Sequence, residues 1–347
     1  IPEDKSGDLL LTSKQMRLVF HGDVALVRVV GFDHKGRPEG RIVKVLESKT
    51  QRLVGRYFEE NGVAYVLPDN PRMTHEVVLQ GDTQGATHGQ FVEVKIVSQP
   101  NHRSLAVAEL TAILGDHLAP GLEIDIALRN FDIPHLWPNE VSEQAANISP
   151  QVTEADKVGR VDLRNLALVT IDGEDAKDFD DAVYAEKRAG GGYRLVVAIA
   201  DVSHYVRPDS PLDIEAKHRS TSVYFPGFVV PMLPEVLSNG LCSLKPNVDR
   251  LCMVCDMTIS RAGRVTGSQF YEAVMHSQAR LTYTKVSALL EEPESELGQQ
   301  VATEFPHLIK PIHTLFSLFK VLRANREQRG ALDFDAPETY IIFDENK

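Results

Sequence analysis

An acidic segment, residues 172–181, carries the side chains of this sequence best suited to chemistry. It follows an apolar run, Leu168–Ile171, and leads directly into another that begins at Ala182. Asp178 and Asp180 are two residues apart and share a face where the chain is extended. Asp181 lies beside them at the strand start, and Asp172 can return through the loop. Glu174 and Asp175 are expected to face solvent.

Crowded carboxylates repel one another, and some take up protons unless a positive charge offsets them. Oxygen ligands favour Mg²⁺, with Mn²⁺ as an alternative, over Zn²⁺, and the segment contains no histidine. Such a site suits phosphoryl transfer, in which one metal activates water and a second, about 3.5–4 Å away, stabilises the leaving oxygen. The alternative is a solvated acidic loop, and the residues alone leave both interpretations open.

A glycine-rich stretch, Ala189–Gly192, separates two apolar runs. It predicts a hairpin turn rather than a phosphate-binding loop. If the strand that ends at Asp201 pairs across this hairpin with the strand that begins at Asp181, Asp201 is a further residue that could reach the acidic segment.

Residues 1–115 contain an internal repeat, because residues 21–30 and 88–97 are similar and each is followed by a polar turn and a second apolar run. The β-branched composition predicts strands, and two successive small barrels of the OB type fit the pattern. Such barrels can hold single-stranded nucleic acid, although a structural or protein-binding pair fits the pattern too. In the second barrel Arg56, Tyr57 and Phe58 could contact RNA, with burial in the core as the alternative.

The bulk composition indicates a globular protein of two or three domains, with 347 residues, 43% of them hydrophobic and 25% charged. No apolar run approaches the roughly 18–20 residues of a membrane span, so we expect no contact with a membrane. The net charge of −12 is unusual for a nucleic-acid binder, and binding would require a local basic channel.

The cysteines and the N-terminus favour a cytoplasmic location. Three cysteines are an odd count, which suits a reducing compartment, and the polar N-terminus shows no signal peptide. Cys252 and Cys255 lie three apart in a strand-like run and therefore point to opposite faces, as core cysteines rather than a metal or redox pair. Near the end, Ile309–Arg326 has the spacing of a core-facing helix, with a stripe of Ile312, Leu315, Phe316, Phe319 and Leu322.

The acidic segment with its flanking strand, Asp172–Val183, resembles the signature of the RNase II/RNase R family of processive exoribonucleases, and within it the bacterial RNase R branch. Residues 197–206, 221–226 and 231–244 resemble the same family, and the likeness extends over nearly the whole chain. It implies a multidomain β and α+β fold: two tandem OB-fold, cold-shock-type β-barrels, followed by the first part of an RNB-type α+β catalytic domain. The expected domains are a first barrel truncated at its start (1–48), a second barrel (49–116), a connector (117–159) and the catalytic part (160–347).

The resemblance also implies a function. A monomeric enzyme would take the 3′ end of single-stranded RNA into a catalytic channel and release 5′-nucleoside monophosphates, in RNA decay and quality control. Mg²⁺ would be held by the four aspartates Asp172, Asp178, Asp180 and Asp181, with Asp178 and Asp180 catalytic. Tyr224 and Phe334 would stack on the bases near the 3′ end.

One departure from the family qualifies these expectations. An arginine-bearing segment that supplies a cation to the scissile phosphate, a C-terminal RNA-binding barrel and a basic tail are not found in the sequence, so we expect a fragment. A noncatalytic RNA-binding fragment with an incomplete active site is therefore an alternative. A barrel-based protein-interaction scaffold is another, and it predicts no salt-sensitive binding of RNA.

Overall fold

The computed structural model describes residues 7–73, 75–116, 119, 121–174 and 176–332. The chain divides into two compact units, one reaching His135 and the other beginning at Leu136. Within these described residues, no helix is both long and apolar enough to span a bilayer.

The first unit opens with a three-stranded sheet in the order β1-β3-β2. Its elements are β1 (Leu10–Leu11), α1 (Ser13–Met16), β2 (Val24–Phe32) and β3 (Pro38–Glu47). The predicted polar turn joins β2 to β3, and the Asp33 carboxylate accepts the backbone N–H groups of Lys35 and Arg37 at 2.9 and 2.8 Å. This Asx-type bonding satisfies the donors that the hairpin strands leave unpaired.

A closed five-stranded barrel follows, in the order β4-β5-β6-β8-β7. Its elements, with the helix after it, are β4 (Arg52–Glu60), β5 (Val63–Pro68), β6 (Val77–Leu79), β7 (Phe91–Ser98), β8 (Ala106–Gly115) and α2 (Leu122–Asn130). Asn61 and Gly62 join β4 to β5 with φ values of 52° and 78°, as a two-residue hairpin requires. Closure leaves alternate strand positions such as Val66, Val92 and Ala106 in one buried core.

The second unit is built on a five-stranded sheet in the order β11-β12-β15-β16-β9. The elements in the first part of this unit are α3 (Asn139–Ala146), β9 (Val161–Asp162), β10 (Thr170–Asp172), β11 (Asp181–Lys187), β12 (Tyr193–Ala200), α4 (Val202–Tyr205) and α5 (Pro211–Arg219). The later elements are β13 (Val223–Phe225), β14 (Phe228–Val230), a π-helical turn (Val236–Leu241), β15 (Arg250–Ile259), β16 (Val265–Met275), β17 (Arg280–Thr282), α6 (Tyr283–Glu291), α7 (Glu296–Glu304) and α8 (Ile309–Gln328).

Helices cover both faces of this sheet. Ala182 and Val196 pack in one core with Leu212 of α5, whereas Ala185 packs on the other face against Leu318 of α8. The residues of β11 therefore alternate between two cores, and its first residue, Asp181, stands at the end where the acidic segment enters.

The predicted hairpin at Ala189–Gly192 is confirmed: β11 and β12 are antiparallel, with Asp181 opposite Ile199. Gly192 has φ 81°, and a Cβ there would lie 2.3 Å from the Ile259 carbonyl oxygen, so the turn requires glycine. The prediction of a core cysteine is confirmed for Cys252, which is buried in β15. Cys255 is only half-buried and is not among the core residues of the sheet.

The predicted helix near the end is present, but its apolar stripe is partly wrong. Ile312 and Leu315 pack in the core, whereas Phe319 is 51% exposed and stacks on Phe316 with ring centroids 6.1 Å apart. Leu318 takes the buried position instead. Three of the five predicted positions, Ile312, Leu315 and Leu322, therefore pack against the core, and only Phe316 and Phe319 lie outside it.

Candidate active site

The acidic segment runs from the end of one strand to the start of another. Asp172 is the last residue of β10, which pairs in parallel with β17, and Asp181 is the first residue of β11. Asp178 and Asp180 lie in the intervening stretch, where the Asp180 carbonyl accepts the Ala200 N–H at 2.8 Å. Asp172 and Asp178 are half-buried, and Asp180 and Asp181 are exposed.

The four carboxylates share one electrostatic neighbourhood. Desolvation by the surrounding protein raises the pKa of Asp180, and the charges of Asp178 and Asp172 raise it further. The pKa of Asp181 is raised in the same way, by desolvation and then by the charges of Asp180 and Asp172. The predicted crowding is therefore present, and it disfavours full ionisation of the group.

An exposed aromatic side chain is joined to this group. The Tyr224 hydroxyl donates to Asp178 Oδ2 at 3.0 Å, and 62% of the Tyr224 side chain remains exposed. Desolvation and the bond to Asp178 raise the pKa of Tyr224, as do the charges of Asp180 and Asp172. Tyr224 and Asp178 both line a small cleft of about 130 Å³, together with Lys177, Ser222, Phe228 and Asn239.

All four aspartates offer oxygen donors, which is the chemistry that a hard divalent cation selects. In the part of the chain that the structure describes, no group of three or more His, Cys, Asp or Glu side chains is gathered as a metal site. The structure thus brings the four residues within electrostatic reach of one another but does not arrange them as a coordination shell. The donor type and the raised carboxylate pKa values suit a cation, and a metal remains a proposal.

Sequence reasoning missed Tyr283, which begins α6 directly after β17. Its side chain is 62% exposed, and its pKa is raised by desolvation and by the charges of Asp172 and Asp181. A second exposed aromatic therefore stands near the acidic group. Only the parallel pairing of β10 with β17 brings it there, and that pairing joins residues about a hundred positions apart, such as Asp172 and Thr282.

Asp201 does not join the acidic group, so the suggestion that it reaches the site is wrong. Its buried carboxylate pairs with Arg160 at 2.6 Å and accepts the Ser203 hydroxyl at 2.7 Å. It also accepts the backbone N–H of His204 at 3.2 Å and so caps α4. The strand pairing was predicted correctly, but the chain turns into α4 at its end, and the carboxylate is bound there.

The three candidates in the second barrel have different environments. Tyr57 is 1% exposed and lies in the barrel core, so its ring cannot stack on a base and this part of the prediction is wrong. Arg56 is half-buried, with its guanidinium 5.0 Å from the ring centroid of Phe91. Phe58 is half-buried and stacks on Tyr65, with centroids 5.6 Å apart. Part of the Phe58 surface therefore remains accessible to solvent. Phe334 lies outside the described residues.

Comparison with known proteins agrees with this architecture. The model of the RNB domain matches residues 160–347, that of the cold shock domain residues 65–138, and that of the ribonuclease B OB domain residues 1–45. The expected fold class, tandem OB and cold-shock domains followed by an RNB domain, is confirmed.

Relatives are similar along almost the whole sequence. Ribonuclease R of Escherichia coli strain K12 is 54% identical over 342 residues, which are 98% of this chain and 42% of that protein. Ribonuclease R of Acidithiobacillus ferrooxidans is 50% identical over 337 residues, which are 96% of this chain and 75% of that protein. The chain thus spans less than half the length of the Escherichia coli relative.

A solved structure is similar in fold. Mycoplasma genitalium RNase R in complex with ribose methylated single-stranded RNA has a TM-score of 0.85 and 29% identity, over 97% of this chain and 52% of that one. The resemblance carried by the acidic segment is confirmed at the level of the family. Because the RNB model spans more than half of the sequence and the Acidithiobacillus relative is covered over three quarters of its length, the chain belongs to the ribonuclease R family.

Proposed function

We propose that this protein is a processive 3′→5′ exoribonuclease that hydrolyses single-stranded RNA to 5′-nucleoside monophosphates in a Mg²⁺-dependent reaction. Family membership supports the reaction class, and the ribonuclease R structure from Mycoplasma genitalium contains single-stranded RNA. The observation that carries the proposal is the hydrogen bond of 3.0 Å between the Tyr224 hydroxyl and Asp178. It sets an exposed aromatic ring directly beside a group of carboxylates.

In this proposal the aromatic side chain binds the RNA, and the acidic side chains take part in its hydrolysis. Tyr224 stacks on a base near the 3′ end, and stacking accepts every base, as unspecific degradation requires. The hydroxyl of the same residue holds the Asp178 carboxylate in one orientation. A stacked nucleotide therefore arrives with its phosphate close to Asp178 and to Asp180, two residues further along the chain.

Asp172, Asp178, Asp180 and Asp181 are the residues that would hold the metal, and Asp180 and Asp178 the ones that act on the reacting atoms. When bound, Mg²⁺ activates a water molecule and stabilises the charge that develops on the leaving 3′ oxygen. The raised pKa values of Asp180 and Asp181 support this assignment, since a nearby cation favours the ionised form of both carboxyls.

The second barrel is proposed to guide the RNA, through Phe58 rather than Tyr57. A monomeric state and a cytoplasmic location belong to the same proposal. Free cysteines support a reducing compartment.

The decisive test is digestion of a 5′-labelled RNA with and without EDTA, by the wild-type protein and by Asp180→Asn. We expect the wild-type protein to give a ladder of labelled products that shortens from the 3′ end. EDTA should abolish this ladder, and Asp180→Asn should abolish it while RNA affinity is retained. Asp162→Asn is a matched control, because Asp162 is an exposed aspartate paired with Arg164 at 2.7 Å.

Equal turnover by Asp180→Asn and the wild type would refute the assignment of the acidic group. Salt-sensitive RNA binding with no turnover by either would support the noncatalytic alternative instead. Absence of both would favour the protein-interaction scaffold.

A further inference from the structure

The backbone of Phe179 is held at both of its polar groups by one remote segment. Its N–H donates to the Ser243 hydroxyl at 3.3 Å, and its carbonyl accepts the Leu244 N–H at 2.6 Å. Ser243 is buried, and its hydroxyl also donates to the Lys177 carbonyl at 3.5 Å. Residues 243–244 therefore bind the middle of the acidic segment on both sides of Asp178.

The ring of Phe179 is held as well. Its side chain is 3% exposed, and the guanidinium of Arg280 lies over its face, 4.1 Å from the ring centroid. The same guanidinium donates to the Ala176 carbonyl. Arg280 begins β17, the strand that pairs with β10, so this one side chain joins the acidic segment to the β10–β17 pair that carries Asp172.

Asp178 and Asp180 flank Phe179, and the buried ring lies between one half-buried and one exposed carboxylate. A ring fixed in the core therefore limits the movement of the backbone that carries both carboxylates. We infer that Ser243, Phe179 and Arg280 are positioning residues that form a clamp and hold Asp178 and Asp180 in place for the reaction. The inference rests on the proposed function, and none of the three needs to touch RNA.

The clamp counters the electrostatic repulsion within the acidic segment. Like-charged carboxylates repel, so a loosely held backbone would let Asp178 and Asp180 move apart. Displacement of a reacting group by about 1 Å can lower a rate about 100-fold. Phe179 and Ser243 counter this displacement from the buried side of the segment, and the exposed Arg280 counters it from the surface.

The first test is Ser243→Ala in the full natural chain. We expect kcat to fall about 10–100-fold, with KM and RNA affinity nearly unchanged, because only the placement of the carboxylates is lost. Ser277→Ala is the matched control: Ser277 is also buried, but its hydroxyl donates to the Ala279 carbonyl at 2.9 Å. An unchanged kcat in Ser243→Ala, or an equal fall in the control, overturns the inference.

Two substitutions of Arg280 distinguish a role in the clamp from a simple cationic contact with RNA. A lysine keeps the charge but lacks the planar group that stacks on the ring, so Arg280→Lys should lose as much kcat as Arg280→Met. A role in binding phosphate would survive in the lysine variant and would change KM and its salt dependence. That second pattern overturns the inference for Arg280.

A double-mutant cycle tests whether the two contacts act together. In the double variant Ser243→Ala with Arg280→Met, the fold-reduction in kcat should be smaller than the product of the two single reductions. Once one substitution has released the segment, the second can displace Asp178 and Asp180 little further. Independent, multiplicative losses would show that no common clamp exists.

Hydrogen exchange supplies a readout that does not depend on activity. Peptides spanning residues 176–182 should exchange faster in Ser243→Ala and Arg280→Met than in the wild type or Ser277→Ala, and unchanged exchange overturns the clamp. If Ser243→Ala fails to fold, Phe179→Leu replaces it, since leucine keeps the burial but offers no ring to Arg280; normal kcat in that variant refutes the inference. A wild type without hydrolysis would instead refute the proposed function, while the exchange result still decides on the clamp.

Discussion

Removing the ring of Tyr224 and removing only its hydroxyl should have very different effects on RNA affinity. Tyr224→Phe deletes the hydrogen bond to Asp178 and keeps the ring, whereas Tyr224→Ala deletes both. The side chain is 62% exposed, so neither change leaves a cavity in the core. The two variants therefore separate the positioning of Asp178 from stacking on a base.

Stacking of one base on an aromatic side chain contributes about 1–3 kcal/mol, so Tyr224→Ala should weaken RNA binding about 5–150-fold. A hydrogen bond to a charged acceptor contributes about 1.5–3 kcal/mol when buried, but water can replace it at this exposed position. We therefore expect Tyr224→Phe to change affinity by less than about 1 kcal/mol, or about 5-fold. Its larger effect should be on kcat, through the freed Asp178 carboxylate.

The assay is fluorescence anisotropy with a labelled single-stranded RNA, in an Asp180→Asn background that prevents digestion. Phe270→Ala is the control, because Phe270 on β16 is 72% exposed and β16 is separated from β11 by two strands of the sheet. Equal weakening by Phe270→Ala and Tyr224→Ala, or by Tyr224→Phe and Tyr224→Ala, would refute a stacking role for Tyr224.

Three further predictions concern stability. The folded-state pKa values of Asp180 and Asp181 are raised above the unfolded value of about 3.9, so both carboxylates destabilise the fold once they are ionised. Asp180→Asn and Asp181→Asn should therefore raise Tm at pH 7, with a gain in the free energy of unfolding of less than about 1 kcal/mol for these exposed groups. The gain should shrink as the pH falls through the folded pKa and should vanish below about pH 3, where both carboxyls are protonated in the folded and the unfolded state. Arg160→Met leaves the Asp201 carboxylate buried without its partner and should cost about 3–5 kcal/mol in urea unfolding. Arg164→Met breaks partly exposed pairs, with Asp162 at 2.7 Å and with Asp249 at 3.7 Å, and should cost at most about 2 kcal/mol, so equal losses would contradict the burial argument. Tyr57→Ala should cost about 3–5 kcal/mol of stability, whereas Phe58→Ala should mainly weaken RNA binding; the reverse order in paired melting and anisotropy measurements would restore Tyr57 as a ligand contact.

Local patterns predicted much of the fold. The glycine hairpin before β12, the buried Cys252 and the strand leading into Asp172 all follow from spacing and turn chemistry, which act over a few residues. The acidic group was predicted for the same reason, since its residues are close in sequence. Its crowding is a local property, and the raised pKa values of Asp180 and Asp181 reflect it.

The failures come from interactions that sequence spacing does not encode. Alternation along β4 shows that Tyr57 and Phe58 face opposite sides, but only barrel closure decides that Tyr57 faces inward. Asp201 lies at the predicted strand end, yet its carboxylate is bound by Arg160, which is distant in sequence. Tyr283 and Ser243 reach the acidic segment through β10–β17 pairing and a bend after the π-helical turn, and neither contact has a local signal.

The acidic segment combines residues that destabilise the fold with one that stabilises it. Ionised Asp180 and Asp181 lower stability, as their raised pKa values require. Burial of a phenylalanine side chain contributes about 1.5–3 kcal/mol, and Phe179 makes this contribution from a position between Asp178 and Asp180. Since the same residue is bound through its backbone by Ser243 and Leu244, the stabilising and the orienting contacts are inseparable. A substitution that relieves the charge should therefore raise stability and abolish function, whereas one that loosens Phe179 should lower both.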